Sequence, residues 1–186
     1  MADPFSPRHG FSPITMAVVM FPQILKVQLT SNTAFRASWV FFACPADRMA
    51  VLRAAKNVLV AFFLLPYLLF VVAVYAYFAH NLWHVIVHVM LLGAFSHLAL
   101  QIFVLVDPQL PFSRPMQAGR QSGLITGMMF GMSIIAGILE GLSALLYASA
   151  VATTLAFGTL ALCSAAVDRL TRVRVELQMA SLEFEG

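Results

Sequence analysis

Four apolar runs, each near the roughly 20 residues that a helix needs to cross a bilayer, leave this chain few ways to fold. They cover Asn57 to Ala79, the region around Leu82 to Val106, the region around Gly123 to Ala148, and the region around Ser149 to Val167. A water-soluble fold of 186 residues has too much surface to hide so much apolar side chain. Hydrophobic residues make up 61% and charged residues 10%, where a soluble domain carries roughly 45–50% and about 25%. The sequence therefore predicts an all-α integral membrane protein: a four-transmembrane-helix bundle preceded by an interfacial amphipathic helix and a short cytoplasmic coupling-like helix. The expected organisation is an N-terminal cytoplasmic or interfacial segment over 1–56, the membrane bundle over 57–167, and a cytoplasmic tail over 168–186.

Charge placement sets the orientation. Arg36, Arg48, Arg53 and Lys56 precede the first run, and only His80 and Asn81 separate it from the second. Arg114 and Arg120 follow the second run, no basic residue follows the third, and Arg169, Arg172 and Arg174 follow the fourth. Short loops rich in Lys and Arg stay in the cytoplasm, so the alternation predicts four crossings with both termini inside, as in a bacterial inner membrane. The turn between the third and fourth runs, Ala148 to Ala152, has Ser149 as its polar residue. Pro108, Pro111 and Pro115 make the inner loop Asp107 to Gly123 extended and non-helical.

The segment before the first run admits two readings. Ile14 to Leu25 is too short to cross alone, and Phe35 to Phe42 sets Trp39 and three Phe beside an arginine, an interfacial composition. One reading is a helix over Gln28 to Phe42 lying on the inner surface; the other is a shortened extra span from Ile14 onward. The stretch from Met1 to Thr30 is interrupted by Pro22 and lacks the basic start and A-x-A site of a signal peptide.

Several function classes find no footprint. The formal charge of +3 includes no basic run interleaved with aromatics, so no nucleic-acid partner is expected. Cys44 and Cys163 are too few for a disulfide framework or a zinc site. No nucleophile with a base, paired catalytic carboxylates or phosphate loop is recognisable, so the chain does not read as an enzyme and no cofactor or metal is expected.

Polar groups inside the runs are the candidate site. His80, His84 and His88 follow at i, i+4 and i+8 along one side of the second run, while His97 points elsewhere. Two histidines one turn apart can hold a metal or a haem iron, although interfacial hydrogen bonding is the plainer role. Glu140 is the acid inside a run, and a carboxylate in lipid is paired or functional. At roughly 1.5 Å per residue it lies about 10 Å from the outer end, level with His88 on the neighbouring helix. A Glu140–His88 hydrogen bond, or one to His84, is therefore expected. Gly127 with Gly131, and Gly137 with Gly141, form small-xxx-small pairs for helix packing within the bundle or between protomers. Met128, Met129 and Met132 read as gap-fillers, and Pro66 should kink the first run.

One segment is more specific. Cys44-Pro45-Ala46-Asp47-Arg48-Met49-Ala50-Val51-Leu52-Arg53-Ala54-Ala55-Lys56 makes a turn at Pro45, an N-cap at Asp47 and a short helix. Arg48, Arg53 and Lys56 share one arc, with Ala50, Val51 and Ala54 opposite. Such a basic entry helix is most often a topology anchor. Pro45, Arg48, Leu52 and Lys56 also resemble the cytoplasmic signature of type-2 ABC exporter permeases, which precedes four further spans. The resemblance covers roughly Phe35 to Arg174. The lysine stands one residue late, Ala55 replaces the usual glycine, and the family's first two spans are missing or reduced to Ile14 to Thr30. It implies a transmembrane exporter subunit, shortened or divergent, oligomeric and paired with a separate ATP-binding subunit that touches Pro45, Arg48, Arg53 and Lys56. The competing readings are a haem- or metal-binding redox protein using His84, His88 and His97, and a structural accessory subunit of a larger membrane complex.

Overall fold

The computed structural model describes residues 13–33, 35–40, 47–78, 81–115 and 149–178, together with helical positions 123, 126, 127, 131 and 137 of the third apolar run. Among these residues the fold is all-helical, with a single β-bridge between Ser31 and Arg114. Helix α1 covers Pro13–Thr30, and a 3-10 turn occupies Phe35–Ser38. A continuous rod follows, made of α2 (Arg48–Leu59), a π turn (Val60–Leu64) and α3 (Leu65–Phe78). Helix α4 covers Leu82–Val106 and α5 covers Ala150–Gln178. Among the described residues three helices are long and apolar enough to cross a membrane: the α2–α3 rod, α4 and α5. The third apolar run lies mostly outside the described residues, so the expected fourth crossing does too.

Local chemistry explains the helix ends. Asp47 is extended and its carboxylate accepts from the Met49 amide at 2.9 Å, which makes it the N-cap expected from the sequence. Asn81 caps α4 by accepting from the His84 amide at 3.3 Å. Ser149 takes the same role for α5, its hydroxyl accepting from the Ala152 amide at 3.1 Å.

The two prolines inside helices are accommodated differently. Pro22 lies within α1 and has no N–H for the Val18 carbonyl one turn back. Ser96 of α4 donates its hydroxyl to that carbonyl at 2.7 Å, in a fully buried contact. At Pro66 the disturbance takes the form of the π turn immediately upstream, in which the Leu65 amide reaches back to the Val60 carbonyl. A π turn adds one residue to the helix and so shifts its faces. In an unbroken α-helix Pro66 would sit on the face of Leu59, seven residues earlier. Leu64, Val71 and Tyr75 are buried instead, and Pro66 is exposed.

Contacts define directions. Val18 meets Ser96 and Lys26 meets Asp107, so α1 runs parallel to α4. Gln101 meets Ser164, and Gln101, Val104, Asp168 and Thr171 line one groove, so α5 is parallel to α4 as well. Tyr75 packs on His88, and Leu68 lies against Gly93, so the α2–α3 rod is antiparallel to all three. One apolar cluster joins Val18, Leu64, Val71, Tyr75, Val85, Val89 and Leu92, with Ile14 against it. A second joins Leu52, Leu110 and Val175 near the charged end.

One expectation about the N-terminal segment changes. No single helix covers Gln28 to Phe42: α1 stops at Thr30, where the backbone turns to pair with the inner loop. The Phe112 amide donates to the Leu29 carbonyl, the Arg114 amide to Thr30, and the Asn32 amide to Arg114. Helix α1 is packed into the bundle, with Val18 and Val19 fully buried, and does not lie across its end. The coupling-like helix and the first apolar run are one rod, because nothing between Lys56 and Asn57 interrupts helical hydrogen bonding. The tail likewise continues the fourth run as α5 up to Gln178. The inner loop is irregular over residues 107–115, as its prolines require, with Phe112 in the left-handed region at φ 58°.

A charged cradle at one end of the bundle

The basic segments that the sequence set on one side of the membrane meet at one end of the bundle. Two ionic groups stand there. In the first, Lys26 of α1 is held by the loop: its ammonium donates to the Asp107 carbonyl at 2.6 Å and lies 3.1 Å from the Asp107 carboxylate. Arg114 approaches the other carboxylate oxygen at 3.5 Å. The ammonium also sits 4.6 Å from the centre of the Phe103 ring, a cation–π contact. The Lys26 side chain is only 7% exposed. Burial holds its pKa below the usual 10.5, and the facing carboxylate of Asp107 opposes that shift.

In the second group, Asp168 of α5 ties α5 to α2. Arg172, one turn along α5, donates to the Asp168 carboxylate at 3.1 and 3.3 Å, and Arg53 of α2 stands 3.9 Å from the same oxygen. Just above, Ser164 donates to the Gln101 side-chain oxygen at 2.7 Å, a polar link between α5 and α4. Lys56 lies beside this group, with Asp168 and Arg53 as its nearest charges. The half-buried His97 has Lys56 and Asp168 as its charged neighbours.

The basic arc of α2 thus faces differently from its expected role. Ala50 and Ala54 are exposed, whereas Leu52 and Leu59 are buried and Arg53 and Lys56 are half-buried. Leu52, Lys56 and Leu59 follow at i, i+4 and i+7, so burying the leucines carries Lys56 toward the bundle. Arg48 is half-buried at the start of the helix, and Pro45 lies outside the described residues.

The histidine and glycine candidates separate. His84 and His88 are half-buried on α4, and the His88 ring meets Tyr75 edge-on at 5.9 Å. Glu140 and Gly141 lie outside the described residues, and the expected tie from Glu140 to His88 or His84 lies there with them. Among the described residues no three of His, Cys, Asp or Glu converge as metal ligands would. Among the described residues, a Cβ at Gly127, Gly131 or Gly137 would meet nothing within 4 Å. The glycine in close contact is Gly93, where a Cβ would stand 2.7 Å from the end of Leu68.

Four members of the cradle were not singled out from sequence: Lys26, Asp107, Asp168 and Gln101. A signal existed for three of them, since a lysine inside an apolar stretch and acids at the ends of two runs each need a partner. Pairing them requires knowing that α1 lies against α4. Gln23 adds a further feature. It is 1% exposed, and neither polar atom of its side chain has a hydrogen-bond partner among the described residues. Comparison of the chain with protein-family models, curated proteins and solved structures gave no match.

Proposed function

We propose that the chain is a transmembrane subunit of a membrane transporter, its charged end facing the cytoplasm and engaging a separate ATP-hydrolysing subunit. The reading is supported by the likeness of Pro45, Arg48, Leu52 and Lys56 to the exporter signature. The observation that carries it is the continuity of the rod from Arg48 to Phe78, braced to α5 through Arg53 and Asp168. A push on the Arg48–Lys56 segment would reach α3 along the rod and α5 across the ion pair. The π turn marks the level at which such a push would redirect the rod. Oligomerisation belongs to the same reading: among the described residues nothing buries the most apolar stretch of α5, which leaves it surface for the third apolar run, a second subunit or lipid.

The test is co-purification from the native membrane, followed by ATP turnover of the captured subunit with and without this chain. The proposal expects an ATPase in the complex whose turnover this chain alters. Arg53→Glu should abolish that effect by setting two carboxylates side by side, and adding Asp168→Arg should restore it. A complex with no nucleotide-hydrolysing partner, or an ATPase indifferent to the chain, would overturn the reading. A Soret band in the purified protein would instead favour haem on His84, His88 and His97.

A further inference from the structure

The apolar stretches of three helices end at one level. Lys56 precedes the apolar part of the rod, Asp107 follows α4, and Asp168 closes the apolar part of α5. At this level a small groove opens on the surface between α2, α4 and α5. Its apolar wall is Met49, Leu52 and Val104, and its polar wall is Arg53, Lys56 and Asp168. Arg172 completes the set by clasping Asp168. Three cations therefore face one carboxylate, leaving the groove with an excess of two positive charges.

The carboxylate is already engaged, because both arginines address the same Asp168 oxygen. Lys56 is not: among the described residues it makes no hydrogen bond and no salt bridge, although it lines the groove and is half-buried. An ammonium so placed favours an anion that brings its own oxygen acceptors. We infer that this groove holds the phosphate of an anionic phospholipid, with Lys56 and Arg53 on the phosphate oxygens. A free phosphate would supply the same oxygens, but the groove lies where the apolar stretches end, at the depth of lipid headgroups. Basic pockets between membrane helices at headgroup depth are suited to such lipids. The inference stands apart from the transport reading, since a subunit with no ATPase partner would hold the lipid equally well.

The full chain, purified in a neutral detergent and stripped of lipid, is titrated with phosphatidylglycerol, phosphatidylcholine or inorganic phosphate. Thermal unfolding and retained lipid by native mass spectrometry are the readouts. Phosphatidylglycerol should raise the unfolding midpoint and remain bound, and phosphatidylcholine should do neither. Lys56→Gln should weaken that effect by about tenfold or more, the scale of a lost charge-assisted hydrogen bond. Lys56→Arg should keep it, which covers the case of Lys56→Gln failing to fold. Arg169→Gln, an exposed cation of α5 outside the groove, should leave it unchanged. Equal protection by phosphatidylcholine, or an equal loss in Arg169→Gln, would overturn the site. Protection by inorganic phosphate at the same concentration would overturn the lipid as its occupant.

Discussion

The Ser96 hydroxyl stands 2.7 Å from the Val18 carbonyl, the acceptor that Pro22 leaves without its helical donor. A side chain of one helix thereby repairs a backbone defect in another, in a contact shielded from water. Ser96→Ala should cost about 1–3 kcal/mol, the penalty of a buried unpaired group. Pro22→Ala restores a backbone N–H at position 22, so the serine substitution should then cost at least about 1 kcal/mol less. Denaturant unfolding of the four proteins in detergent measures this, and equal costs in both backgrounds would show that the hydroxyl does not serve Val18.

Lys26 and Asp107 should respond unequally to substitution. Asp107→Ala strands a buried ammonium, and breaking such a pair costs about 3–5 kcal/mol. Lys26→Met is expected to cost less, because Asp107 keeps Arg114 and is 23% exposed. The double variant Lys26→Met with Asp107→Leu should recover part of the loss. Unfolding midpoints that rank the two single variants the other way would refute this ordering.

Gln23 should be replaceable with gain. Methionine matches its length and has no hydrogen bonds to lose, so Gln23→Met is expected to stabilise by roughly 1–3 kcal/mol, the cost of leaving a buried polar group unsatisfied. Denaturant unfolding in detergent measures the gain, and a variant less stable than the parent would show that the amide has a partner.

Glycines should divide by contact. Gly93→Leu is expected to destabilise by about 1–3 kcal/mol, since its side chain must enter the space held by Leu68. Gly93→Ala should stay within about 1 kcal/mol of the parent, because only the flexible end of Leu68 has to move and alanine is the better helix former. Gly127→Ala and Gly131→Ala should leave monomer stability unchanged; a shift in oligomeric state on size-exclusion chromatography would show that they pack between protomers.

Three of the apolar runs and the cap at Asp47 were legible because each signal is local. Lipid-crossing length is a property of consecutive residues, and Asp47 caps the helix that begins beside it. The cradle was not legible for the opposite reason. Lys26 and Asp107 are 81 residues apart, and their pairing follows from α1 lying parallel to α4. From sequence alone Pro22 is only an interruption of the apolar stretch between Met1 and Thr30. The hydroxyl that lets the helix continue comes from Ser96, 78 residues from the Val18 carbonyl it serves. The arc of Arg53 and Lys56 was visible in the helical period, but its direction was set by Leu52 and Leu59, which outweigh two alanines in apolar area.

The π turn at Val60–Leu64 gives the rod a reading frame of its own. Upstream of it, faces are counted from Leu52 and Leu59; downstream, from Leu64 and Val71. Removing one residue between them would leave an unbroken α-helix in which Leu59, Leu64 and Val71 still share a face. Straightening the turn without that deletion would instead bring Pro66 round to the face of Leu59 and turn the exposed phenylalanines with it. For anyone grafting, aligning or redesigning this helix, the count of residues through that turn carries as much information as their identity.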